Sequence, residues 1–219
     1  MASNDRDAIS ELTTGRLSVY LRCLTFLETQ GQKTVSSHEM ADRFHLNSAQ
    51  IRKDLACFGE FGTRGVGYDV TRLKTQLVQE LGIDRTRNVI IAGAGNLGMA
   101  LADYGGFNTN GFHIIGMIDS DPAKVGRASR AGIPVLPADR LPEVVHRNRV
   151  EIGIIAVPAE GAQAVYDVLV DSGLHAILNF APVQLKLRPG VKVKSVDLRI
   201  NLESLSFHLK NVEDGVIEA

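Results

Sequence analysis

Long apolar runs, a cysteine framework and a dominant charge are all missing from this chain of 219 residues. Its longest hydrophobic stretches are strand-length, well short of the roughly 20 residues that a membrane-spanning helix needs. The opening Met1-Ala-Ser-Asn-Asp-Arg-Asp7 is polar and lacks the apolar core of a secretion signal. Only two cysteines occur, Cys23 and Cys57, and their spacing suits no metal. Both fall within helical patterns where small apolar residues belong, so both are expected as buried thiols rather than as a disulfide or redox pair. His113 leads a strand, His175 lies in a turn, and His38, His45, His146 and His208 sit in helical surroundings without a paired carboxylate at a suggestive spacing. Each is therefore expected to be structural or on the surface rather than catalytic. Repeats and low-complexity segments are absent too. These absences point to a cytoplasmic protein with no membrane segment, no metal site and no evident catalytic residue. The net charge of −1 excludes a general nucleic-acid coating protein, because such chains are strongly basic.

What is present falls into two halves. With 44% hydrophobic and 22% charged residues the chain can bury a core, and its length suits two small domains. Leu17, Tyr20, Leu21, Leu24 and Leu27 recur at helical spacing, and Gly31 supplies a stop. Ser36 with Glu39 is a capping-box pattern opening a second helix. Asn47 with Gln50 repeats that signal for a third, whose Ile51, Leu55 and Phe58 share a face. Three short helices with tight joints make a helix-turn-helix. After Gly59, the stretch Phe61-Gly-Thr-Arg64-Gly65-Val-Gly67-Tyr68 reads as a hairpin tipped at Arg64-Gly65. Helices followed by such a hairpin make a winged helix. Arg43, Arg52, Lys53, Arg64, Arg72 and Lys74 outnumber Asp54, Glu60 and Asp69 here, a local basic patch on a near-neutral chain. Ser48, Gln50, Arg52 and Lys53 on the third helix are candidates to face a major groove, and Arg64 with Gly65 a neighbouring minor groove.

Beyond a linking helix through Leu73, Leu77 and Leu81, apolar strand runs alternate with helical stretches. The expected strands are 89–92, 113–118, 151–157, 176–180 and 191–196. Continuous apolar strands separated by helices indicate a parallel sheet covered on both faces. The tail, 201–211, reads as a helix with Leu202, Leu205 and Leu209 on one stripe. Between the first strand and its helix stands Gly93-Ala94-Gly95-Asn96-Leu97-Gly98. In that setting the first glycine allows a tight turn, the second lets backbone N–H groups approach a pyrophosphate, and the third lets helix meet strand. Asp119, at the end of the next strand, is spaced to take ribose hydroxyls. Ser120 rather than arginine follows it, so NAD(H) is favoured over NADP(H).

The motifs, in order, are Ile51-Arg-Lys-Asp-Leu-Ala-Cys-Phe-Gly59, Gly62-Thr-Arg-Gly-Val-Gly-Tyr68, the glycine turn, Ala102-Asp-Tyr104 and Asn179-Phe-Ala-Pro182. Together they closely resemble the Rex redox-sensing transcriptional repressors, over about Gly15 to Leu209. The resemblance implies a homodimer that binds an inverted-repeat operator when NADH is scarce and leaves it when NADH binds. It implies a winged helix over 1–82, a Rossmann NAD(H)-binding domain over 83–198, and a C-terminal helix over 199–219 swapped onto the partner subunit. It also implies that Tyr104 lies near the nicotinamide, that Asp197 approaches from the partner subunit, and that Arg22 exchanges contacts with Asp197 as the dimer moves. The residues alone leave two other readings open. One is a small NAD-dependent oxidoreductase with a helical oligomerisation arm, and the other is a coenzyme A-binding module.

Overall fold

The structure, a computed structural model, describes residues 10–59, 61–63, 65–108, 111–214 and 216. The chain forms two compact units that divide between Arg85 and Thr86.

The first unit is a winged helix-turn-helix. Its elements are α1 (Glu11–Thr29), β1 (Thr34–Val35), α2 (Ser37–Phe44), α3 (Ser48–Ala56), β2 (Gly62–Thr63), β3 (Gly67–Asp69) and α4 (Val70–Glu80). Short side chains start each helix by taking an otherwise unpaired N–H. Ser36 accepts from Glu39 N–H, Asn47 from Gln50 N–H and Asp69 from Arg72 N–H. The Ser36 box is only half formed, because the Glu39 carboxylate accepts from Gln32 Nε2 instead of turning back to the cap. Leu24, Leu27, Met40, Ile51, Leu55, Leu73 and Leu77 form a dry core with Tyr20. Each such aliphatic side chain contributes about 1.5–3 kcal/mol on leaving water.

The hairpin pairs β2 with β3, and β3 also pairs with β1, in the order β1-β3-β2. β1 was not legible in the sequence, since two residues are too short to show alternation. Helix α3 ends at Ala56, three residues before the expected stop. Gly59, with φ +130°, belongs to the connection that follows. Cys23 is buried as expected, but Cys57 is exposed, with its Sγ donating to the Lys53 carbonyl. The reason is helical phase: Cys57 lies one turn beyond the exposed Lys53, away from the face of Ile51 and Leu55.

The second unit is built on β4 (Arg87–Ala92), β5 (Phe112–Asp119), β6 (Val135–Pro137), β7 (Ile152–Ile155), β8 (Ala176–Asn179) and β9 (Lys192–Ser195). They form one parallel sheet in the order β6-β5-β4-β7-β8-β9. Counted within the unit this is 3-2-1-4-5-6, the doubly wound Rossmann order. β6 is an addition to the expected strands: it is a three-residue edge strand ending in Pro137, which is tolerated there because an edge can spare a donor. The helices are α5 (Asn96–Ala102), α6 (Gly105–Asn108), α7 (Leu141–Arg147), α8 (Ala159–Asp171) and α9 (Leu198–Glu213). Two hydrophobic clusters form this unit's core, one containing Ile90, Ile155, Tyr166 and Leu169, the other Val89, Ile91, Met117 and Ile154. The tail helix begins at Leu198, earlier than expected, because Asp197 caps it by accepting from Arg199 N–H. No side chain of α9 is buried, and Leu202, Leu205, Phe207 and Leu209 are each 60–67% exposed.

No helix among the described residues is long and apolar enough to cross a membrane. No cluster of His, Cys, Asp and Glu among them is placed to hold a metal ion.

Candidate dinucleotide cleft and recognition helix

Strand order reverses between β4 and β7, where a doubly wound sheet opens a crevice at its carboxyl edge. A cleft of about 740 Å³ lies there, lined among others by Gly93, Gly95, Asp119, Lys124, Val157 and Pro158. That volume lies within the roughly 300–1,000 Å³ of ligand pockets.

The three glycines of the turn have different surroundings. Gly93 has φ +108°, and a Cβ there would run into the Ala156 carbonyl oxygen and come within 2.9 Å of Val157 Cγ1. At Gly98 a Cβ would collide with the Gly93 carbonyl oxygen. At Gly95 it would meet nothing within 4 Å. The outer two glycines are therefore required by the fold, and the middle one leaves room in the cleft. Gly95 is the N-cap of α5 without a side-chain capping bond, so the first-turn N–H groups have no side-chain acceptor there. Such a helix end suits an anion. Ala94 is buried, whereas Asn96 and Leu97 are exposed.

Asp119 ends β5 beside this turn, its side chain only 9% exposed. Its Oδ2 accepts from Ala94 N–H at 2.8 Å and from Lys124 Nζ at 3.0 Å, and its Oδ1 accepts from Asp121 N–H at 2.9 Å. Burial pushes its pKa up, but these donors outweigh burial and hold it below the usual carboxylate value. A carboxylate has about four acceptor sites, so Asp119 can brace the turn and still accept from a ribose hydroxyl. Lys124 was missed in the sequence. Its only signal there is a position five residues beyond Asp119, in Asp119-Ser-Asp-Pro-Ala-Lys124.

In the first unit, Arg52 and Lys53 are exposed on α3, with Arg52 Nη1 donating to Ser37 Oγ on α2 at 3.0 Å. Ser48 and Gln50 are half-buried, and Gln50 Nε2 donates to Asp54 Oδ1 at 2.7 Å. Gly65 is exposed with φ +83°, as the hairpin turn requires, and Arg64 lies outside the described residues. Asp54 is not a surface charge opposing the basic patch: its side chain is 3% exposed and pairs with Arg16 of α1. Lys74 pairs with Glu28 and so adds no bare charge to the patch, whereas Arg43 lies over the Phe26 ring and keeps its charge.

Comparison with known proteins addresses both units. Residues 8–56 match a family described as "Putative DNA-binding protein N-terminus", and residues 84–183 match the CoA binding domain family. The redox-sensing transcriptional repressor Rex of Carboxydothermus hydrogenoformans is 52% identical over 92% of this chain and 97% of that protein. The Rex of Pelotomaculum thermopropionicum is 49% identical over 94% and 96%. The chain belongs to the Rex family. Among solved structures, the Rex-family repressor RSP in complex with β-NAD+ and operator DNA superposes with a TM-score of 0.89. It is 38% identical, with 94% of each chain covered. RSP in complex with β-NADH gives 0.83 at 36% identity, covering 94% of this chain and 96% of that one.

The residues that the Rex resemblance couples lie on different elements of the chain. Tyr104, between α5 and α6, is 59% exposed and meets the Phe107 ring edge-on at 5.0 Å. It does not line the cleft. Asp197 follows β9, the strand at the opposite edge of the sheet from β6 and three strands from β4. At about 4.8 Å per strand, that is some 14 Å from the glycine turn. Arg22 is exposed on α1, in the other unit.

Proposed function

We propose that this Rex-family chain is a homodimeric transcriptional repressor that reads the NADH/NAD+ ratio. It binds an inverted-repeat operator when NADH is scarce and is released when NADH occupies the cleft. The observation that carries this reading is the joining, in one chain, of a capped recognition helix and a Rossmann cleft whose glycine turn leaves Gly95 open. Relatives at about half identity over nine-tenths of the chain are redox-sensing repressors, and RSP is known with NAD+, NADH and operator DNA.

The residue roles are part of the proposal. Residues 1–82 read DNA, through Ser48, Gln50, Arg52 and Lys53 in the major groove and Arg64 and Gly65 in the minor groove. Residues 83–198 hold NAD(H), with Gly93 to Gly98 at the pyrophosphate and Asp119 at the adenosine ribose. Residues 199–219 pass to the partner subunit, which would cover the apolar side chains that α9 leaves in water. The swap would also deliver the partner's carboxylate to Tyr104. Oxidised nicotinamide carries a positive ring charge and reduced nicotinamide does not. A nearby carboxylate and tyrosine can therefore distinguish them electrostatically, and Arg22 would relay the difference to the winged helix. The protein works as a regulator in the cytoplasm, and no catalytic step is assigned to it.

The matched CoA binding domain family keeps coenzyme A as a second reading, because that ligand shares the adenosine diphosphate moiety. A gel shift on the gene's own upstream region, with NADH, NAD+ and coenzyme A added separately, tests both. Release by NADH alone is the expected result. Release by coenzyme A alone, or consumption of NADH with a small-molecule substrate, would replace the proposal.

A further inference from the structure

Four donors converge on the buried carboxylate of Asp54, which lies on the recognition helix. Arg16 donates Nε to Oδ2 and Nη2 to Oδ1, Tyr20 donates its hydroxyl to Oδ2 at 2.8 Å, and Gln50 donates Nε2 to Oδ1 at 2.7 Å. Burial alone would favour the neutral acid. The Arg16 fork and the other donors reverse that and hold the carboxyl below its ordinary pKa.

An ionised carboxylate only accepts hydrogen bonds, so the Gln50 carboxamide must turn its nitrogen inward. With the hydrogen anti to Oε1 donated to Asp54, Oε1 and the other N–H of Nε2 lie side by side on the outer edge of the amide. Gln50 is half-buried and bonds Asp54 through Nε2, which leaves Oε1 as a further acceptor. Gln50 is the third residue of α3, in the first turn from which recognition helices deliver side chains to base edges. An acceptor beside a donor matches the N6 amino group and N7 of adenine in the major groove. A glutamine without this anchor would rotate about its side-chain torsions and present either edge.

We propose that Asp54 is a positioning residue for sequence readout: it locks Gln50 so that the outer edge of the amide reads one adenine in each operator half-site. The proposal rests on the reading of this chain as an operator-binding repressor. It extends that reading by naming the base read and the residue that sets the reader's orientation. Arg16 and Tyr20 act behind Asp54, so α1 contributes to readout without touching DNA.

The test uses the full-length dimer and the inverted-repeat duplex that the wild type selects from a random pool. In each half-site every adenine is replaced in turn by 7-deazaadenine, which lacks the N7 acceptor, and a scrambled duplex gives the background. One adenine position should cost the wild type about 2- to 12-fold in affinity, the worth of the single hydrogen bond to N7 that is lost. The same replacement should cost Gln50→Ala nothing further. Asp54→Asn, whose amide no longer dictates which way Gln50 faces, should lose most of that discrimination while binding the scrambled duplex at least as tightly as the wild type. Tyr20→Phe removes one donor and should weaken the discrimination.

If no adenine penalty vanishes in Gln50→Ala, the readout is overturned. If Asp54→Asn keeps full discrimination, or loses selected and scrambled duplexes equally, the positioning role is overturned. Should circular dichroism show Asp54→Asn unfolded, Tyr20→Phe decides, and undiminished discrimination there overturns the role. A wild type that shows no preference for its selected duplex over the scrambled one defeats the operator-binding reading itself, and this inference with it.

Discussion

Replacing Gly95 by valine should separate ligand binding from folding. Gly95 has an extended backbone, φ −83° and ψ −171°, which any residue can adopt, and a Cβ there meets nothing within 4 Å. The fold should lose little. Glycine is a moderate N-cap and valine a poor one, a difference of about 1 kcal/mol. Lower entropy of the unfolded chain returns about 0.4–1 kcal/mol of that. The melting temperature should therefore stay within about 4 °C of the wild type, the shift that 1 kcal/mol produces in a chain of this size. The ligand has more to lose. The valine side chain would occupy the space through which a pyrophosphate reaches the first-turn N–H groups of α5. Two charge-assisted hydrogen bonds at the low end of their range total about 3 kcal/mol. Their loss weakens NADH by roughly 100-fold or more. Isothermal titration with NADH and a thermal melt on the same sample measure both quantities. Gly98→Ala is the contrasting control, because its Cβ collides with the Gly93 carbonyl and should cost stability directly. NADH binding to Gly95→Val at wild-type strength would refute the placement of the pyrophosphate. A Gly95→Val protein that fails to fold would refute the claim that this space is free.

Three further outcomes are expected. Asp119→Ala should weaken NADH binding in titration and also lower the melting temperature, because the buried Ala94 N–H loses its acceptor at a cost of about 1–3 kcal/mol, while the exposed Asp121 N–H turns to water. Asp54 has a folded-state pKa below its unfolded value, so its contribution to stability is full above the unfolded pKa and is lost as pH falls through the folded one. Urea melts from pH 7 to pH 3 should therefore show a shallower acid loss in Asp54→Asn than in the wild type. An Asp197→Asn dimer should keep the α9 cap and its operator affinity, yet lose much of its NADH response in a gel shift; release by NADH at the wild-type concentration would remove this carboxylate from the switch. By linkage, whatever factor NADH takes from DNA binding, DNA must take from NADH binding.

Much of this architecture was legible because its determinants are local. Ser36, Asn47 and Asp69 cap helices through bonds to residues three positions on, so the cap and its target stand together in the sequence. The glycine turn shows its spacing within six residues, although the carbonyl that bars a side chain at Gly93 belongs to the distant Ala156, and a strand ending in Asp119 follows at the expected distance. The inner strands that were seen are largely apolar because the sheet is covered on both faces there, whereas the edge strand β9 alternates lysine with valine and is mostly exposed. The two that were not seen, β1 and β6, are two and three residues long and exist only by pairing with a neighbour.

Tertiary structure decided which charges are working surface and which are internal fastenings. Asp54 reads as an acid in a basic stretch until α1 brings Arg16, 38 positions away, against it, and Gln50 changes from a solvent-facing amide to one of fixed orientation. Asp119 reads as a ribose ligand, and the fold adds Lys124 and the turn that the carboxylate braces. Cys57 shows the limit of periodicity, since a helix ending at Ala56 and a half-turn of phase put it in water rather than in the core. A pattern along the chain determines which backbone N–H is capped and which face is apolar, because those interactions span a single turn. Which side chain neutralises another depends on segments tens of residues apart meeting in space, and only the folded chain sets that distance.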